Sequence, residues 1–359
     1  QQIVTNPKFL YSALSVFNNE DIIQLIQEHG VPVKIERGNR AFPVSDHASD
    51  ITKALSKALA EVNVTVKLQT QVLDISQTNH KIIGVVCKDH LFYEADAVIL
   101  ATGGMSYPTT GSTGDGYRFA QKLTHTIKKP HPALVALVTK EEYIPKLQGL
   151  SLRNVTLTIL GNKKPLFHEF GELLFTHFGV SGPLGLSASS CIYKSLCEKK
   201  ELKASIDLKP AISYNELEER LKKDLLEQKQ KEYKSFLKNY LPNKLIPEFI
   251  ILSKIDSEII CGEITKDNRK IILSLMKQFP FTICGLRDFK EAIITQGGVC
   301  VKEVNPKSME SKLVKGLFFA GEVLDIDAYT GGYNLQLAFS TGYLAGIHAS
   351  KNEGESNEY

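Results

Sequence analysis

The run Gly316-Leu-Phe-Phe-Ala-Gly-Glu-Val-Leu-Asp325, with Thr330-Gly-Gly-Tyr-Asn334 close behind it, leaves this chain few architectures. Leu317, Phe318 and Phe319 form a short, fully apolar run that reads as a buried strand. Ala320-Gly321-Glu322 then turns the chain into an acidic loop. A loop at the carboxyl end of a sheet strand is where open α/β sheets take their ligands. From Asn334 the spacing becomes helical, with Leu335, Ala338, Gly342, Ala345 and Ala349 three or four residues apart. That stripe of mostly small residues is expected to admit a close backbone or a flat ligand. Gly331 and Gly332 stand just before the helix, where backbone N–H groups lack partners and the dipole is positive, so a group that becomes anionic fits there. The alternative is an ordinary strand, loop and glycine-rich helix start that hold nothing.

A second stretch of the same kind is Asp96-Ala-Val-Ile-Leu-Ala-Thr-Gly-Gly104. Its apolar strand runs into Ala101, Thr102, Gly103 and Gly104, where the missing side chains let backbone lie against a ligand. Ser106, Pro108 and Thr110-Gly-Ser-Thr-Gly-Asp-Gly116 follow, and Asp115 is placed to cap a helix reaching about Leu123.

Before these motifs, Phe9, Leu10, Ala13, Leu14 and Phe17 mark one helical face, and Ile22, Ile23, Leu25 and Ile26 another, capped by Asn18 or Asn19 and ended by Gly30. Val31 to Glu36 reads as a strand and Arg37 to Pro43 as a loop, in which Arg37 and Arg40 reach either solvent or an anionic group. After a helix over about 49–60, the runs 64–68, 72–75 and 82–86 predict a β-meander.

Beyond Pro132 the pattern changes to short strands at 133–138, 155–160, 173–175 and 204–208, which suits a small antiparallel barrel. Inside it lies Phe175-Thr-His-Phe-Gly-Val-Ser-Gly-Pro-Leu184, which makes His177 the candidate for proton transfer; a histidine satisfied within the barrel is the competing role. Pro210 opens a helical segment with a capping box at Ser213 and Glu216, and Leu217, Leu221 and Leu225 on one face. A further helix opens at Thr265, after which Phe281–Cys284 and Glu291–Val299 return to strand pattern. Gly297-Gly298 lets the backbone pass close to something, either a ligand ring or a tight turn. The lysines between Lys222 and Lys244 alternate with acids, as on a solvated face.

Length and charge narrow the function. The 359 residues suffice for two or three domains, and a net charge of +3 does not argue for nucleic acid. No apolar run is long enough to span a membrane. Six cysteines without a C-x-x-C pair suit a reduced, cytoplasmic setting, and no histidine, cysteine or carboxylate spacing suggests a metal site. The partner expected is a small molecule.

Four stretches, 101–116, 175–183, 295–299 and 316–334, taken in order, resemble the HI0933-like bacterial flavoproteins, which include aminoacetone oxidases and a bile-acid reductase. The resemblance implies an FAD/NAD(P)-binding two-dinucleotide-fold α/β domain, interrupted by a β-barrel that is itself interrupted by a helical insert. The boundaries that follow are 1–132 with 305–359 for the cofactor domain, 133–209 with 279–304 for the barrel, and 210–278 for the insert. It implies FAD as cofactor, with NAD(P)H as a reductant, and oxidation or reduction of a small organic substrate. Glu322 or Asp325 would accept hydrogen bonds from ribitol hydroxyls. Ala101, Thr102, Gly103, Gly104, Gly321, Gly331, Gly332, Tyr333 and Asn334 would line the flavin, and Val72 would pair with adenine through its backbone. Family members open with a strand, a glycine-rich turn and a helix that receive the pyrophosphate. No G-x-G-x-x-G occurs here, and the chain opens Gln1-Gln2-Ile3, so the fold is expected to be truncated at its amino terminus. Two rivals remain: a flavin-dependent tRNA-modifying protein, and a scaffold that kept the fold without the cofactor.

Overall fold

The computed structural model describes residues 2–36, 38–88, 91–162 and 164–351. The chain forms two compact units, Gln1–Pro132 with Ile293–Tyr359, and Ala133–Ala292. Arg37 and the polar tail 352–359 lie outside the described residues.

The first unit is built on a parallel pair of strands, Val98–Leu100 and Leu317–Phe319, with Leu317 opposite Val98 and Phe319 opposite Leu100. All three residues of the second strand are buried, as a continuous apolar run requires. The helix Tyr333–Ala349 buries Leu337, Leu344 and Ala345 in the same core as Leu100 and Phe319. Its buried face differs from the small-residue stripe expected from the spacing. Leu337, Ser340, Thr341, Leu344 and Ala345 point inward, while Leu335 is 65% exposed. Ala345 belongs to both faces; the turn of the helix is set by Leu337 and Leu344, which bury apolar area behind the strands, while Ser340 and Thr341 are held by hydrogen bonds to Phe17 O and Leu337 O. Gln336 and Ser340 reach Phe17 O, and the Phe17 ring stacks on Tyr343 at 4.4 Å, which docks the helix Tyr11–Val16 there.

Asn18 closes a capping box with Asp21 at the start of the helix Asn19–Glu28. The segment expected as a loop after Glu36 instead contributes a strand, Arg40–Pro43, paired antiparallel with Val33–Glu36. The meander consists of Val72–Thr78, Lys81–Cys87 and Phe92–Glu94. The run 64–68 has the alternation of a strand but does not form one. Val64, Val66 and Leu68 are all exposed, and no described strand pairs with them. Alternation alone cannot supply a hydrogen-bonding partner.

The second unit contains a closed six-stranded barrel, Leu137–Thr139, Ser151–Leu160, Pro165–Phe175, Gly179–Ser181, Leu202–Asp207 and Phe279–Leu286. The helices Tyr214–Glu227, Tyr233–Leu237, Ile246–Ser253 and Lys266–Lys277 share its hydrophobic core, and the predicted caps Ser213 and Thr265 both hold. An 18-residue helix, Gly182–Lys199, escaped the periodicity because it is buried on several sides and its serines interrupt the apolar pattern. Residues 293–304, assigned to the barrel from sequence, lie in the first unit, where Ile294–Val299 pairs with Ile127–Ala133 outside the barrel. Among the described residues no helix is long and apolar enough to cross a membrane.

Phe319 is fully buried, and the ring of buried His125 meets it edge-on at 5.0 Å. Phe319→Ala is expected to cost ~3–5 kcal/mol in chemical denaturation. Amide exchange should show the loss in 1–132 and 293–351 while 133–292 keeps its protection.

Candidate functional site

The two central strands deliver their carboxyl-end loops to one place. After Leu100, Ala101-Thr102-Gly103-Gly104 leads to Met105 and Ser106; after Phe319, Ala320 leads to the short 3-10 turn Gly321–Val323. Gly321 is left-handed at φ 73°, and its N–H donates to Thr341 Oγ1 at 2.9 Å, which ties the turn to the closing helix. Gly321, Glu322, Ile326, Asn334 and Leu337 then line one cleft.

The helix edge of this cleft is chemically open. Gly332 precedes the helix at φ 92°, and a Cβ built on it meets nothing within 4 Å. Tyr333, Asn334 and Leu335 occupy the first turn, where no N–H has an intrahelical acceptor, and none donates to another group among the described residues. The Asn334 side chain is already committed: Nδ2 donates to Ala328 O and Oδ1 accepts from Ala328 N, at 2.8 and 2.9 Å. Its backbone N–H is the group left for a ligand. Tyr333 is 38% exposed beside Gly331.

The glycines expected to leave room for a ligand divide into two groups. Gly332 faces open space, whereas a Cβ on Gly331 would lie 3.1 Å from the Tyr333 ring. Gly104 does not face open space: a Cβ there would lie 2.4 Å from Thr295 Oγ1 and 2.5 Å from Glu322 Oε1. Gly298 likewise runs against Val323 O and Gly297 against the carbonyls of Lys128 and Lys129. Thr102 packs on Gly116 at the start of the helix Asp115–Lys122. Gly114 takes the cap position of that helix, and Asp115 instead binds Arg118 and Thr113 from the first turn.

Three carboxyl groups follow one another within the acidic loop. Thr295 N donates to Glu322 Oε1 at 2.8 Å. Asn6 Nδ2 donates to Asp325 O at 2.7 Å and to Oδ2 at 3.1 Å. Asp327, 1% exposed, accepts from Gln296 Nε2, whose own Oε1 takes the Nε2–H of His131 at 2.7 Å. Burial pushes all three above the ordinary carboxylate range, against the pull of these donors. Thr295, Gln296, Asn6 and His131 were not legible as site residues. Only the proximity of Thr295 and Gln296 to Gly297-Gly298 marked them.

Val72 lies in the meander opposite Cys87, packed against the first unit's core, and is not among the residues that line the cleft. His177 belongs to the second unit, where it is exposed on the turn after Phe175, edge-on to Phe178 at 4.8 Å. Arg287 stacks over the other member of that pair, Phe178, at 4.5 Å and is ion-paired with Glu291, so the turn carries a cation that the sequence did not announce. Arg40 has its guanidinium 5.6 Å from the Phe42 ring on the hairpin.

Comparison with known proteins gives one family and a group of relatives. The family described as HI0933-like protein Rossmann domain matches residues 1–348. A 3-dehydro-bile acid delta(4,6)-reductase of Clostridium scindens is 31% identical over 348 residues, covering 96% of this chain and 84% of its own. A ribosomal RNA dihydrouridine synthase of Haemophilus influenzae is 31% identical over 350 residues, covering 96% and 83%. The Escherichia coli protein of the same name is 28% identical over 338 residues, covering 94% and 81%.

The raised carboxyl of Glu322 sets a test by pH. A buried acid favours the fold while protonated, and that contribution is lost as pH rises through its folded-state value. Glu322→Gln removes the cost of the ionised form and keeps an acceptor for Thr295 N. In ligand-free protein it should raise Tm by ~1–3 °C at pH 8, with the difference closing toward pH 4 in thermal melts.

Proposed function

The chain belongs to the HI0933-like family of Rossmann-domain proteins, and from that premise we propose that it is an FAD-dependent reductase of a carbon–carbon double bond conjugated to a carbonyl. The observation that carries the cofactor half is the cleft lined by Glu322 and by Asn334, whose backbone N–H is free in the first turn of the closing helix. Donors with a helix dipole suit a ring edge that becomes anionic, and a carboxylate suits hydroxyls. Glu322 and Asp325 would take ribitol hydroxyls, the backbone of Gly331, Gly332, Tyr333 and Asn334 would face the ring, and Val72 would meet adenine. Those residues fit the ring and ribitol of a flavin, while the sequence holds no G-x-G-x-x-G for the pyrophosphate. When bound, FAD would supply the hydride.

The reaction half rests on what two differently named relatives have in common. A delta(4,6)-reductase and a dihydrouridine synthase both saturate a carbon–carbon bond, one in a bile acid and one in a base of ribosomal RNA. Hydride addition at one carbon leaves a proton to be delivered at the other. His177 is our candidate for that proton, an exposed imidazole being able to give one or take one. A small-molecule acceptor is the first reading. Ribosomal RNA is the second, favoured by the two relatives named for it.

The test begins with FAD titrated into the protein and followed by flavin fluorescence. Bound flavin should be reduced anaerobically by NADPH or NADH and reoxidised by a 3-dehydro-Δ4,6-bile acid, giving a product two hydrogens heavier. Reoxidation by unmodified ribosomal RNA with formation of dihydrouridine, and not by the steroid, would replace the first reading with the second. No flavin uptake would remove both and leave the scaffold. His177→Ala should lower turnover by ~10²-fold or more without changing FAD affinity; turnover within a few-fold of wild type ends that role.

A further inference from the structure

We infer that Thr295 is a positioning residue for the cofactor site, holding the 103–106 turn and Glu322 in register with each other; this rests on the FAD reading above. Thr295 is fully buried on the strand Ile294–Val299. Its Oγ1 accepts the N–H of Met105 at 2.8 Å and that of Ser106 at 3.1 Å, and lies 3.0 Å from Ser106 Oγ. Its own N–H donates to Glu322 Oε1 at 2.8 Å. A hydroxyl has two lone pairs and one proton. The two backbone donors occupy the lone pairs, so the proton goes to Ser106 Oγ, 3.0 Å away. One buried residue thereby joins the loops that leave both central strands.

The junction has no slack. The space beside Gly104 is filled from one side by Thr295 Oγ1 and from the other by Glu322 Oε1, each within 2.5 Å of where a Cβ would stand. The glycine is thus explained by this threonine and this carboxylate, before any ligand is considered. Ser106 is buried as well, at 6% exposure, so its N–H has no water to turn to, while that of half-buried Met105 is partly shielded. Valine would fill the volume of Thr295 and leave Met105 and Ser106 N–H unpaired. Serine would keep both bonds. Because Oε1 of Glu322 is fixed by the Thr295 N–H, the orientation of the carboxylate toward the cleft follows from where the strand 294–299 lies.

The experiment compares Thr295→Val, Thr295→Ser and Gly104→Ala by two readouts. In flavin-free protein, amide exchange at Met105 and Ser106 should accelerate at least ~10-fold in the valine variant and stay within about threefold of wild type in the serine variant. FAD affinity, measured by fluorescence quenching, should fall at least ~10-fold in the valine variant and be rescued by serine. Gly104→Ala has no positive φ to contend with and reports on the same junction if the valine variant does not fold; it too should weaken FAD at least ~10-fold. Unchanged exchange at 105–106 in Thr295→Val overturns the anchoring whatever the flavin does. Loosened exchange with wild-type FAD affinity overturns the link to the cofactor, as does failure of serine to rescue, or wild-type FAD affinity in Gly104→Ala. A wild-type protein that takes up no FAD removes the cofactor reading itself, and exchange alone then decides the anchoring.

Discussion

The parallel pairing of Val98–Leu100 with Leu317–Phe319 is the contact on which the rest of the first unit depends. It joins two segments separated by the whole of the second unit, so its ordering cost is repaid only when both strands are buried together. Three residues on each side form a small ladder. The surrounding core does the rest: Phe319, Leu317 and Leu100 pack with Leu337 and Leu344 of the closing helix and with Phe9 and Leu10 near the amino end. Once that register is set, the loops after Leu100 and Phe319 have no choice but to leave the same edge of the pair. That is how an open α/β sheet makes a site.

What occupies the site edge is shaped as much by internal packing as by any ligand. Gly104, Gly297 and Gly298 all look like places where backbone could approach a flat molecule, yet each has protein atoms where its side chain would be. Gly332 is the contrasting case, with a left-handed backbone and open space around it. A glycine in a sequence reports only that something is close or that φ is unusual. Whether the close object is a carbonyl, a threonine or a cofactor is a question about the neighbours.

The acidic loop shows the same division of labour from the electrostatic side. Glu322, Asp325 and Asp327 are held in partly or fully buried positions where ionisation is disfavoured, and each has been given specific donors: Thr295, Asn6 and Gln296. Such groups cost stability when they ionise, and the donors beside them offset part of that cost. The donors come from the two segments of the first unit, Asn6 from 1–132 and Thr295 and Gln296 from 293–359. The loop is therefore legible as acidic in sequence, but its support is not.

The sequence by itself determined the order and type of most elements, because apolar periodicity, caps such as Asn18, Ser213 and Thr265, and glycine turns are local signals with local physical causes. It also carried the family resemblance, since the motifs at 101–116 and 316–334 lie intact in short runs. Only the tertiary structure decided which face of the closing helix is buried, that 64–68 remains unpaired, and that 293–304 belongs with the first unit. It alone showed that Thr295 meets Gly104 and Glu322. Each of these depends on what stands opposite, and a residue's partner across space is set by register and packing between distant segments, which no local pattern encodes.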